Sequence, residues 1–165
     1  MKKSNNKGFT LVELVVVIAI IGVLAAILVP SMMGYVKKSR LKTANGNAKT
    51  AYNAAAEWVA QQETNGTPVN TSGSGTLASN VNCTGAKPSA TVNSGLDQVV
   101  WKALSSNGNE SGYVTIGYNS AIGGETPIFA HWRKTTSDKM IGQYPEASKD
   151  VETAEKMTFG TWSSQ

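Results

Sequence analysis

Polar and apolar positions are unevenly distributed along the chain. From Leu14 to Val36 no residue is charged, and at a helical rise of about 1.5 Å per residue this run reaches roughly 35 Å, enough to cross a bilayer. A membrane-spanning helix is expected there. A single carboxylate, Glu13, stands at its head, within KGFTLVELVVVIAIIGVLAAILVP. A secretory signal would also follow a basic region, but its apolar core is shorter, and no A-x-A cleavage site follows here. Past the membrane run the pattern narrows to Leu41, Ala44, Ala48, Ala51, Ala55 and Trp58, three and four apart. That is the apolar stripe of a helix packed on a globular partner. Phe9 to about Gln62 therefore reads as one helix of roughly 80 Å. Gly46 is its weak point, costing up to about 1 kcal/mol relative to alanine.

Residues 65–93 change character. TNGTPVNTSGSGT is dense in Gly, Ser, Thr and Asn and predicts a loop. Asn65, Asn70, Asn82 and Asn109 each begin an N-x-S/T triplet, which such a composition generates by chance, so no glycan is assigned. A globular head is expected over residues 94–165. In SGLDQVVWKALS, Ser94 and Asp97 have capping-box spacing, and Leu96, Val100, Ala103 and Leu104 share a face, which predicts a short helix. Three strand-like runs come after it: GYVTIGY (Gly112 to Tyr118), TPIFAHWRK (Thr126 to Lys134) and KMIGQY (Lys139 to Tyr144). They predict an antiparallel meander whose Val114, Ile116 and Tyr118 face the stripe of the long helix. KMTFGTW in the tail is a candidate edge strand. The fold class expected is α+β, a long N-terminal helix with a membrane-spanning first half, packed on a small antiparallel head.

Charge alters this picture little. The chain carries a net charge of +4, but Lys2, Lys3 and Lys7 hold three of those charges. Without the first eight residues the case for nucleic acid nearly disappears. Lys37, Lys38, Arg40 and Lys42 cluster just past the apolar run and read as a solvated collar near lipid phosphates, with DNA or a neighbouring subunit as lesser readings. The collar balances the basic leader, so the positive-inside rule leaves orientation open. Cys83 is alone and cannot form an intrachain disulfide. His131 is the only histidine, in a strand beside Trp132, and is read as structural rather than as a base or ligand. No nucleophile motif, phosphate loop or zinc spacing occurs, so neither enzyme chemistry nor a cofactor is expected. Glu146, Asp150, Glu152 and Glu155 are loosely spaced and read as a solvated face.

Gly8, Phe9, Thr10, Leu11, Val12 and Glu13 form G-F-T-L-V-E after the short basic leader, residues 1–8. This closely resembles the class III signal of type IV prepilins and pseudopilins. The resemblance implies that a membrane-embedded prepilin peptidase cuts between Gly8 and Phe9 and methylates the new amino terminus of Phe9. Gly8, lacking a side chain, lets the backbone lie extended against such an enzyme. Glu13 would become the fifth mature residue and pair with the positive amino terminus of a neighbouring subunit. In an apolar bundle such charges attract far more strongly than in water, and each is costly unpaired. A tolerated interfacial charge is the plainer alternative. Gly22 and Pro30 fall where family members carry a glycine and a proline, between which the helix can lose helicity on assembly; an ordinary proline kink is the alternative.

The same resemblance implies a structural subunit of a type IV pilus. The precursor would sit in the cytoplasmic membrane, leader in and head out, and polymerise through its N-terminal helix into a cell-surface homopolymer of identical subunits serving adhesion or motility. The partners implied are prepilin peptidase, an assembly ATPase, a platform membrane protein and, before assembly, membrane lipid. A pseudopilin of type II secretion or competence DNA uptake shares the motif. A monomeric membrane-anchored adhesin is a third reading and predicts no cut at Gly8. Some major pseudopilins hold calcium in C-terminal loops, for which the acidic run is a lesser candidate. Many Gram-negative relatives close the tail with a disulfide. One cysteine cannot, so packing and hydrogen bonds must hold this head together, as in pseudopilins and many Gram-positive pilins.

Overall fold

The computed structural model describes residues 8–70, 72–88, 95–122 and 128–164. The chain divides into two units, one ending at Lys37 and the other beginning at Lys38. Helix α1 (Leu11–Thr64) contributes residues to both.

The part of α1 in the first unit is built largely from Val, Ile and Leu. The β-branched residues among them are only moderate helix formers in water. In lipid, however, a helix is the one local structure that satisfies every backbone group within its own segment. Pro30 lies inside the helix, where it lacks the N–H that would bond the carbonyl of Ala26. One turn is braced by a side chain, with Ser31 Oγ donating to Leu28 O at 2.9 Å.

In the second unit the rest of α1 lies against a four-stranded antiparallel sheet, ordered β1 (Ser74–Asn82), β2 (Tyr113–Asn119), β3 (Ile128–Arg133), β4 (Gly142–Tyr144). Helix α2 (Leu96–Leu104) joins β1 to β2, and α3 (Val151–Lys156) follows β4. The core gathers Ala44, Ala48, Ala51, Ala55 and Val59 of α1 with Val114 and Ile116 of β2 and Ala130 and Trp132 of β3. Small side chains on α1 let its backbone come close to the sheet. Gly142 shows how close: a Cβ there would run into the backbone of Ala44 and Asn45.

Several expectations are corrected. The stripe on α1 ends with Val59, which is buried, while Trp58 is half-buried at the edge of the core. Residues 65–93, expected as a loop, contain β1, an edge strand that buries Leu77, Ala78 and Val81. Its register shifts between Thr76 and Ala78 and again between Ala78 and Val81, and Asn80 sits at φ 52°. Such bulges destroy the two-residue alternation by which strands are read. Helix α2 is capped by the backbone turn at Gly95 (φ 105°), with no side-chain cap. Ser94 lies outside the described residues. The buried face of α2 is Leu96, Val100 and Leu104, with Ala103 half-buried.

The tail is not an edge strand. It forms α3, whose N-cap Asp150 accepts from the backbone N–H of Thr153 at 2.8 Å, and then crosses the second face of the sheet. On that face Thr115, His131 and Gln143 are buried cross-strand neighbours.

Candidate functional site

Gly8, Phe9 and Thr10 precede the helix in non-helical backbone, and α1 begins at Leu11. Phe9 is 86% exposed, and a Cβ on Gly8 would meet nothing within 4 Å. The junction is thus an open peptide leading directly into a capped helix. Thr10 supplies the cap: its Oγ1 accepts from the backbone N–H of Glu13 at 3.3 Å. Glu13 reaches back, its Oε2 accepting from the backbone N–H of Thr10 at 2.9 Å and from Thr10 Oγ1 at 2.7 Å.

This reciprocal pair is a capping box, T-x-x-E before an apolar run. Reading the sequence for charge alone missed it, although the spacing was there to be seen. It gives Glu13 a role within its own chain, which is to satisfy donors that every helix start leaves open. It also fixes the carboxylate beside the Gly8–Phe9 junction. A carboxylate offers about four acceptor positions, and Oε1 has no hydrogen-bond partner among the described residues. Among the described residues, one oxygen of Glu13 stays open to a cation.

From Phe9 to Val36 every large apolar side chain is exposed, the least of them at 48%. An apolar surface this continuous marks a membrane or protein contact. The helix is long and apolar enough to cross a membrane. A Cβ on Gly22 would meet nothing within 4 Å, so no packing within the chain requires that glycine.

The remaining candidates have structural roles. His131 is buried, and its pKa falls from the ordinary 6.5 to about 4; burial lowers it, partly offset by a hydrogen bond with Gln143. Burial pushes the Cys83 thiol up to about 12, which makes it a packed, unreactive side chain. In the acidic run Asp150 caps α3 and Glu152 pairs with Lys156 at 2.6 Å. Among the described residues no three acidic, His or Cys side chains gather as a metal site. In the basic collar Arg40 pairs with Asp138 at 2.9 Å, while Lys38 and Lys42 are exposed.

The family profile of the prokaryotic N-terminal methylation motif matches residues 3–29, a span that takes in Gly8, Phe9 and Glu13. That match covers the N-terminal region alone, and the relatives that resemble the chain there are pilins and fimbrial proteins. The chain is 51% identical over 53 residues to a type IV major alpha-pilin of Moraxella bovis, covering 30% of this chain and 33% of that one. It is 48% identical over 52 residues to a type IV major fimbrial protein of Dichelobacter nodosus, covering 30% and 33%. With a type IV major pilin protein of Myxococcus xanthus it shares 39% over 59 residues, 36% of this chain and 27% of that one. The chain spans about a third of the length of the curated relatives it matches. No solved structure matches it.

Proposed function

We propose that this chain is a type IV pilin subunit, made as a membrane-anchored precursor, cut between Gly8 and Phe9 by a prepilin peptidase, methylated on Phe9, and polymerised through α1 into a cell-surface pilus. The observation that carries the reading is the pairing of an open Gly8–Phe9 junction with a capped helix start that holds Glu13 next to it. Cleavage creates an amine at Phe9, one residue before the cap. The open oxygen of Glu13 then meets the amine of a neighbouring subunit, and a misaligned subunit leaves both charges unpaired in an apolar bundle.

The exposed face of α1 supplies the driving force. Each large apolar side chain gains roughly 1.5–3 kcal/mol on leaving water, so a helix carrying this surface must remain covered. Lipid and neighbouring helices are similarly apolar, so exchange of one cover for the other is nearly balanced. That balance lets an assembly ATPase, acting through a platform membrane protein, draw the subunit out of the membrane. Gly22 and Pro30 are the places where α1 yields during packing, since open space surrounds the glycine and the proline interrupts the helix's hydrogen bonds.

The test is Glu13→Gln, which keeps the shape and removes the charge. The expected result is loss of sheared surface filaments, with processed subunit retained in the membrane. A normal filament yield would overturn the role given to Glu13. Processed native subunit found only in the membrane fraction would favour a pseudopilin.

A further inference from the structure

The second face of the sheet is covered by the last described residues, 157–164, lying across β3 and β4 as a strap. Phe159 lies beneath the guanidinium of Arg133, which is 4.0 Å from the ring centroid, and Trp162 packs on Phe129 with centroids 5.6 Å apart. Gly160 (φ 90°) turns the strap toward the sheet; a side chain in that conformation would be strained. Its backbone N–H donates to His131 Nδ1 at 3.0 Å. Ser163 is held twice by Gln143, donating to Oε1 at 3.3 Å and accepting from Nε2 at 2.7 Å.

These bonds fix the protonation of His131 by chemistry alone. Gln143 Nε2 faces two carbonyl oxygens, of Ser163 and of Glu146 (2.8 Å), so the amide cannot be flipped. Its Oε1 must then accept from His131 Nε2 at 2.8 Å, which places the proton on Nε2. Nδ1 is therefore the lone-pair nitrogen that Gly160 needs. A second proton on the ring would leave the bond to Gln143 intact and set Nδ1–H against the N–H of Gly160. The conflict falls on the strap and spares the sheet.

We propose that residues 157–164 form an acid-released latch, held closed by the neutral Nε2-protonated form of His131 and opened when Nδ1 takes a proton. Among the described residues the ring's hydrogen-bond partners are Gln143 and Gly160, and no acidic side chain bonds it to hold it charged in place. From β3 the nearby charge is Arg133, itself cationic and stacked on Phe159; β2 presents Thr115 and β4 presents Gln143, both neutral. The strap from Thr158 to Ser164 carries no titratable side chain, and on α3 Glu152 is paired with Lys156. Release returns His131 to water, where it takes a proton near 6.5, whereas the latched ring resists until about 4. Between those values falling pH favours the open strap, and above 6.5 pH has no effect. The open population rises about tenfold per pH unit between about 6 and about 4. Opening uncovers Phe129, His131 and the strap's own aromatic rings.

The test is a pH titration, from 7.5 to 3.5, of the full chain in detergent micelles, labelled with nitrogen-15 and followed by NMR. The expected result is a lone-pair Nδ1 at neutral pH. On acidification the Gly160 amide and Trp162 indole signals should move together with His131 while the amides of Val114 and Ile116 stay in place. The variant His131→Gln should show no strap titration in this range. Protonation of His131 without movement of Gly160 would overturn the latch, and so would loss of Val114 and Ile116 at the same pH, since release would then be global unfolding. The native titration decides the matter even if the variant fails to fold.

Discussion

The two parts of α1 invert the usual relation between size and burial. In the first unit, Val, Ile, Leu and Met side chains stand exposed along the helix. In the second, alanines at positions 44, 48, 51 and 55 are the residues most completely covered, none more than 1% exposed. The difference lies in where each partner is. The alanine face has its partner in the same chain, where β2, β3 and Gly142 have been shaped to receive a helix backbone. The large apolar face has none in the chain, and its chemistry makes sense only with lipid or neighbouring subunits around it. Burial in one molecule thus locates the head's core, and exposure locates the surface that meets lipid or another protein.

The sharpest way to break this comparison is to place the same substitution in both parts. Gly142→Val drives a side chain into the backbone of Ala44 and Asn45, which cannot give, so the head is expected to lose more than about 3 kcal/mol in denaturant unfolding. Gly22→Val meets open space, so the unfolding of the head should be unchanged and any defect confined to filaments. Next comes Ala48→Leu, expected to overpack the core and lower stability by about 1–3 kcal/mol. Ala19→Leu should leave head stability as it is. A smaller effect is expected from Asp150→Ala, which removes the cap of α3 and should lower the thermal midpoint slightly while leaving the β2–β3 pairing intact. The smallest is Glu152→Ala: both partners of its pair with Lys156 are more than 70% exposed, and no change in midpoint should be measurable.

The elements legible in the sequence were those whose period survives in the structure. The three- and four-residue spacing of small residues found the buried face of α1, and alternation around Val114 and Ile116 found β2. β1 was hidden because an edge strand needs only its backbone to pair and two bulges break its alternation, so its Ser, Thr and Asn content read as loop. The tail was misread because its strap is held to the sheet by His131 and Gln143, which are far from it in sequence. At the candidate site the motif gave the residues and the carboxylate, while the capping box needed Thr10 and Glu13 to be considered as a pair. A pairing of Glu13 with another subunit involves a second chain, and no pattern within one chain displays it.

The central claim is that the apolar face of α1 becomes an assembly surface once the leader is removed. Its most direct test is the intact mass and N-terminal sequence of the protein in material sheared from the cell surface. The account predicts a chain that begins at N-methylated Phe9. A sheared chain that still begins at Met1 would contradict it.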